Sequence, residues 1–277
     1  MWTEHRFIAF DETPLFYRVH SREGAKAIAI LVHGMGEHGG RYQHLGDYLA
    51  EFEIESWIPD LRGHGRSGGK PGHISHFSDL HRDLSALHSL IDKTRKGLPI
   101  FLVGHSFGGL TASSYLAYHP HFRVDGLVLT SPLFGIAVHA PWWKRLLGLT
   151  FSALWPSFTQ ANGVLASDLT HDQAILENYR RDAQVHHLIS ARLYCEVLSM
   201  LKQKKEIAGR IKKPVLVLQA GEDRIVSKKD TLSFYDDLKV DDRELEVYPG
   251  FYHEILNETV RQAVFSRIAN WMLKRTV

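Results

Sequence analysis

The chain has 277 residues, 44% of them hydrophobic and 23% charged, with 22 Gly and 10 Pro. At roughly 150 residues per domain this is one large domain or two small ones, and the composition excludes disordered, collagen-like and coiled-coil chains. Lys plus Arg is 33 against 31 Asp plus Glu, a net charge of +2, which gives no electrostatic case for binding nucleic acid.

The chain opens Met1-Trp2-Thr3-Glu4-His5-Arg6, without the apolar run of a secretory signal, and its single cysteine, Cys195, excludes an internal disulfide. A cytoplasmic protein is the expectation. Residues 6–10 and 15–19 have no helix-like segment between them and predict an antiparallel hairpin at a sheet edge. Short apolar runs follow at 27–32, 55–59, 100–103, 127–130 and 215–219. Several are apolar on both faces, the mark of a strand buried on both sides. Amphipathic stretches at 43–52, 78–96 and 108–119 alternate with them, and 258–274 closes the chain as a helix. This alternation predicts an α/β fold with a mostly parallel central sheet and helices on both faces.

About 75 residues, 131–205, pass without a buried-strand signal and are rich in Trp, Leu and His. That is too long for a loop. The expected organisation is a body made from 1–130 and 206–277, with a helical cap inserted over 131–205. Within the insertion, Ala140-Pro141-Trp142-Trp143-Lys144-Arg145-Leu146-Leu147-Gly148-Leu149 sets Trp and Leu beside basic residues. It suits either an interfacial helix in peripheral contact with a membrane or micelle, or simple packing of cap on body. The longer stretch 140–158 is interrupted as a membrane span by Lys144, Arg145, Pro141 and Pro156.

The run ending at Val103 leads into Gly104-His105-Ser106-Phe107-Gly108-Gly109, a G-x-S-x-G at a strand-to-helix junction. Small neighbours at 104 and 108 permit a sharp, strained turn that lifts the Ser106 hydroxyl above the sheet. Serine needs a base, and in this arrangement the partners follow in the order serine, acid, histidine. Beyond the strand at 215–219 comes Gly221-Glu222-Asp223, and the sole later histidine is His253. Asp223 is the expected acid, with Glu222 as the substitute if Asp223 only caps a turn, and His253 the expected base. An acyl-transfer site also needs two backbone donors for the oxyanion. Phe107, after the nucleophile, and Met35, in His33-Gly34-Met35-Gly36-Glu37-His38, are the candidates. The glycines around Met35 could instead only turn the chain.

At these residues the chain resembles the monoacylglycerol lipase and lysophospholipase branch of the α/β-hydrolases, among the serine aminopeptidase S33-like hydrolases, across nearly its whole length. His33-Gly34-Met35-Gly36-Glu37-His38 with Arg41-Tyr42 is similar to that branch's H-G-x-G-E-H-x-x-R-Y signature. Asp60-Leu61-Arg62-Gly63-His64-Gly65-Arg66-Ser67 is similar to its D-x-R-G-H-G-x-S loop, and Ser131-Pro132 and Tyr252-His253-Glu254 also match. The resemblance implies a serine hydrolase acting on an ester with one long acyl chain, without metal or organic cofactor. It agrees with the site assignments above. The glycines among Asp60, Arg62, His64 and Ser67 favour a loop held by its own hydrogen bonds over a second catalytic set. In the cap, Leu169-Thr170-His171-Asp172 with Tyr179 and Asp182 resembles an L-S-R-D...Y...D-P pattern, with His171 for the Arg and Ala183 for the Pro.

Leu133, Phe134 and Trp142 are the candidates to line an acyl-chain site. His73-x-x-His76, His119-x-His121 and His186-His187 have neither a nearby cysteine nor an H-E-x-x-H helix, so no metal is expected. Cys195, in a helical stretch at 189–201, is a small packing residue. The expected function is cleavage of a lipid ester, a monoacylglycerol or lysophospholipid, through an acyl-enzyme. A thioester, amide or N-terminal peptide substrate is the alternative, since one triad serves all of them. Serine at 106, where dehalogenases and epoxide hydrolases want a carboxylate, argues against those reactions.

Overall fold

The computed structural model describes residues 1–95, 97–137, 151–152 and 154–276. Its strands are β1 (Trp2–Ile8), β2 (Pro14–His20), β3 (Ala27–Val32), β4 (Ile54–Pro59), β5 (Ile100–His105), β6 (Gly126–Thr130), β7 (Thr159–Ala161), β8 (Leu188–Ser190), β9 (Val215–Ala220) and β10 (Arg243–Tyr248). Eight form one sheet in the order β1-β2-β4-β3-β5-β6-β9-β10. β1 and β2 are an antiparallel hairpin at one edge, β2 pairs antiparallel with β4, and the pairs from β4 to β10 are parallel. The mostly parallel α/β sheet expected from the sequence is present.

Every residue of β3, β4, β5, β6 and β9 is buried, because helices cover both faces. Alternate residues of each strand feed two cores. Ile28, Ile30, Leu102 and Leu127 join the core under α2 (Phe77–Thr94) and α3 (Phe107–Tyr118). Ala29, Leu31, Phe101 and Val128 join the opposite core with α1 (Gln43–Glu51) and the C-terminal helix Gln262–Leu273. That last helix starts four residues later than the predicted 258. Glu258 is engaged elsewhere, its buried carboxylate accepting from the Tyr252 N–H at 3.0 Å and pairing with His171 at 2.8 Å.

α3 is buried along nearly its full length and lies close on the sheet. A Cβ at Gly108 would stand 2.1 Å from the Val32 carbonyl oxygen, and one at Gly104 2.5 Å from that of Gly108. The hydroxyls of Thr111, Ser113 and Ser114 donate to carbonyls one turn back, at 2.7–2.9 Å, so this buried polar helix leaves none of them unsatisfied.

The insertion departs from the purely helical expectation. It holds α4 (Gln173–Arg181) and α5 (Ala191–Lys202), and also β7 and β8, which pair antiparallel. At three residues each, these strands are too short to show a period of two. The chain also stays on the body past residue 131: the Ser131 N–H donates to the Leu218 carbonyl, that of Leu133 to Ser106 and that of Ala137 to Ile225. Residues 140–149, with the paired Trp142 and Trp143, lie outside the described residues.

Candidate active site

Ser106 stands between β5 and α3 with φ +52° and ψ −118°, a conformation that costs a non-glycine residue on the order of 1–3 kcal/mol. Surrounding hydrogen bonds enforce it. The Ser106 N–H donates to the Thr130 carbonyl, while the Ser106 carbonyl accepts from Gly109, Leu110 and Leu133. The close approach of α3 to β3 leaves no room for the turn to relax.

The loop after β9 carries Asp223 and the loop after β10 carries His253. The two side chains meet, Nδ1–H of His253 donating to Asp223 Oδ2 at 2.8 Å, which leaves Nε2 as the acceptor. The other Asp223 oxygen accepts from the Ile225 and Val226 N–H groups, each at 2.9 Å. Burial pushes the Asp223 carboxyl up, but His253 and these donors outweigh it and hold the group below its ordinary value. For His253 burial works downward, and the Asp223 carboxylate more than reverses it, so the imidazole lies above its ordinary 6.5. Glu222, the substitute acid, is exposed. His105 packs its ring 4.8 Å from that of His253 and is pushed down to about 4 by burial, so it is a neutral neighbour.

The loop after β3 is tied down on both sides of Met35. Nδ1–H of the buried His33 donates to the Gly34 carbonyl at 2.7 Å, and its Nε2 accepts from the Leu61 N–H at 2.9 Å. Burial pushes His33 down to about 3. The Gly34 N–H is taken by Glu37 Oε1 at 2.7 Å. The Met35 N–H has no acceptor among the described residues, and the Phe107 N–H, first in α3, has none within its helix. Both residues line the cavity described below.

Glu37 belongs to a buried charge network that the sequence reading left without a role. Arg41 donates to Glu37 and grips both oxygens of Glu254, each at 2.7 Å, and the Tyr42 hydroxyl donates to Glu37. One guanidinium thus joins the loop of Met35 to the residue after His253. The i,i+4 spacing of Glu37 and Arg41 was the available signal, but Glu254 is 213 residues away.

The Asp60–Ser67 loop is structural, as expected. Asp60 accepts from the Gly39 and Arg66 N–H groups at 2.9 Å, Ser67 bridges the Asp60 carbonyl and the Phe16 N–H, and Arg62 grips Asp83 through two bonds of 2.6 Å.

Ser106, His253, Met35 and Phe107 line one cavity of about 850 Å³ between body and insertion. Its apolar lining includes Leu133, Ile136, Leu165, Ile189 and Val197, and its polar lining Gln160, Asn162, Asp168 and Arg224. Of the three candidates for an acyl site, Leu133 lines this cavity. Phe134 does not: its side chain points into the body core, stacked 3.7 Å from the ring of Phe234. The chain turns here, the Phe134 N–H donating to the Pro132 carbonyl at 2.9 Å, and the two side chains part. Trp142 lies outside the described residues. Cys195 is a free, half-buried thiol on α5.

Comparison with known proteins places this geometry. The family described as serine aminopeptidase, S33, matches residues 23–260. An uncharacterized abhydrolase domain-containing protein of Dictyostelium discoideum is 31% identical over 90% of this chain, which spans only 26% of that longer protein. The monoglyceride lipase of Homo sapiens is 30% identical, with 96% of this chain and 89% of that one aligned. The crystal structure of Paleococcus ferrophilus monoacylglycerol lipase superposes with a TM-score of 0.87 at 28% identity, covering 94% of this chain and 99% of that one. With the sheet order, the strained serine and these matches in agreement, the chain belongs to the serine aminopeptidase S33 family and to the monoacylglycerol lipase branch of the α/β-hydrolases.

Proposed function

We propose that the protein hydrolyses the carboxylic ester of a lipid with a single acyl chain, a monoacylglycerol or a lysophospholipid, through an acyl-enzyme. The observation that carries this reading is a strained serine and an Asp–His pair opening together on an apolar cavity of about 850 Å³. A long acyl chain gains from burial against such a wall. The names of the human and Paleococcus ferrophilus relatives support it.

Ser106 attacks the ester carbonyl as His253 Nε2 accepts its proton, and Asp223 stabilises the imidazolium. The Met35 and Phe107 N–H groups receive the oxyanion. His253 then protonates the departing alcohol, and water repeats the sequence on the acyl-Ser106. The insertion within 131–205 acts as the cap that closes the acyl site, with Leu133 on its wall.

The test is release of fatty acid from matched monoacylglycerol and lysophosphatidylcholine, beside a panel of aminoacyl amides. Serine-dependent release from either lipid is expected. Cleavage of the amides alone would overturn the reading.

The raised value of His253 sets the pH dependence. A histidine that must be neutral to act loses its function as pH falls through its own pKa, so kcat/KM is expected to decline from a point above 6.5. A profile flat from pH 8 to pH 5 would remove His253 as the base.

The enzyme meets its substrate at a lipid surface. Among the described residues no helix is long and apolar enough to cross a membrane, but Leu154 is 81% and Trp155 60% exposed, next to Phe151 and Phe158 at the cavity wall. Such a patch favours peripheral contact from the cytoplasmic side. Trp155→Ala with Leu154→Ser is expected to lower vesicle binding and activity on micellar substrate several-fold, with a water-soluble ester cleaved as before. Equal activity on micelles would refute the contact.

A further inference from the structure

We infer that Asp182, in the insertion, is a positioning residue for the oxyanion: through His38 it holds the loop that presents the Met35 N–H. The inference rests on the proposed function and adds a role for the cap beyond enclosing the acyl chain.

His38 ends the loop that begins at His33. Its Nε2 lies 2.8 Å from Asp182 Oδ2, and its Nδ1 accepts from the Gly40 N–H at 3.1 Å. An imidazole accepting at Nδ1 carries its proton on Nε2, so His38 donates to the Asp182 carboxylate. The ring lies close against the backbone at Gly40 and Gly65 and is held by hydrogen bonds at both nitrogens. A Cβ at Gly40 would stand 2.7 Å from the ring carbon Cε1, and one at Gly65 2.7 Å from the His38 Cβ. The ring therefore transmits the position of Asp182 to the backbone.

A second contact from the same segment acts in the same direction. The His186 N–H donates to the Gly36 carbonyl at 2.8 Å, and Gly36 directly follows Met35. The His186 ring accepts from the Leu188 N–H at Nδ1 and donates from Nε2 to the Gly63 carbonyl at 3.0 Å. The backbones touch here: a Cβ at Gly36, where φ is +79°, would stand 2.4 Å from the His186 carbonyl oxygen. Asp182 itself is braced by the Gln184 N–H on its other oxygen, at 2.8 Å. Residues 182–186 of the insertion thus fasten the loop at Gly36 and His38, on the cap side of Met35. The body fastens it at Gly34 through Glu37.

An oxyanion donor acts by being fixed before charge develops, and a displacement of about 1 Å can cost on the order of 100-fold in rate. Asparagine at 182 cannot serve both neighbours. Its single oxygen can accept from Gln184 or from His38, and its amide then meets the other donor. His38→Asn cuts the link from the opposite end, because its short amide can still accept from Gly40 as an N-cap but does not reach Asp182.

The test uses the full chain and three probes: a soluble p-nitrophenyl butyrate substrate, an alkyl trifluoromethyl ketone whose adduct with Ser106 carries the oxyanion, and a non-hydrolysable 1-O-alkyl glycerol ether. Asp182→Asn, and His38→Asn should the first not fold, are expected to lower kcat about 10- to 100-fold. KM and ether affinity should stay within about twofold, and ketone affinity should weaken by the same factor as kcat. Asp182→Glu should recover part of the loss, and Arg181→Gln, whose side chain is 77% exposed and bonded to Glu177, should change nothing. Unchanged kcat and ketone affinity would overturn the inference, as would ether and ketone affinities falling together, which is the mark of a deformed cavity. A wild-type chain labelled at Ser106 by a fluorophosphonate but inert toward the ester would instead overturn the functional reading.

Discussion

Ser106→Ala should abolish turnover and leave the fold standing. Losing the nucleophile of a serine triad removes on the order of 10⁶ in kcat, because His253 and the oxyanion donors then have no bond-forming step to assist. The backbone strain at position 106 makes a companion variant informative. Alanine retains a Cβ, so at φ +52° it keeps most of the 1–3 kcal/mol of strain, order of magnitude. Ser106→Gly removes that cost and gives back roughly 0.5–1 kcal/mol through the freer unfolded chain. Both variants are expected to be inert, with the glycine form more resistant to urea by about 1 kcal/mol. Alanine protein that still releases fatty acid above about one part in a thousand of wild type, against the loss expected for a nucleophile, would show that Ser106 is not the nucleophile. A glycine form no more stable than the alanine form would show that the turn is not strained.

Arg41→Met is expected to destabilise the protein by about 3–5 kcal/mol, because it leaves Glu37 and Glu254 as buried carboxylates without their cation. Against a total stability of about 5–15 kcal/mol this is a large fraction, and it should appear in the urea midpoint. The pH dependence separates the cause from lost packing. In the wild type burial pushes Glu254 up, but Arg41 outweighs it and holds the group at about 2, below its ordinary 4.5. A depressed carboxyl contributes stability that is full above about 4.5 and lost as pH falls toward 2. Without Arg41 the sign reverses: burial then raises the carboxyl, protonation favours the folded form, and the deficit narrows as pH falls from 8 to 5. Replacing Glu254 by Gln in the same chain should recover part of the loss. A deficit that is constant with pH would mean that Arg41 matters for its packing and not for its charge.

Two kinds of information account for what could be read in advance. Strands such as β3 and β5 were legible because burial on both faces demands unbroken apolar runs, a requirement met by consecutive residues. The Ser106 turn was legible for the same local reason: a Cβ at Gly104 or Gly108 would stand 2.1–2.5 Å from a backbone oxygen, so only glycine there lets helix and strand lie together. Chain order then singled out His253 and narrowed the acid to Asp223 or Glu222, between which the structure chose Asp223. Tertiary structure decided the rest. It set Leu133 on the cavity and turned Phe134 to Phe234, because the path of the backbone through that segment chooses the side. It joined Arg41 to Glu254 across 213 residues and His38 to Asp182 across 144. Burial of a charge is tolerated only where a partner arrives, and which partner arrives depends on how distant loops converge above the sheet. That convergence is a property of the topology, and no local periodicity encodes it.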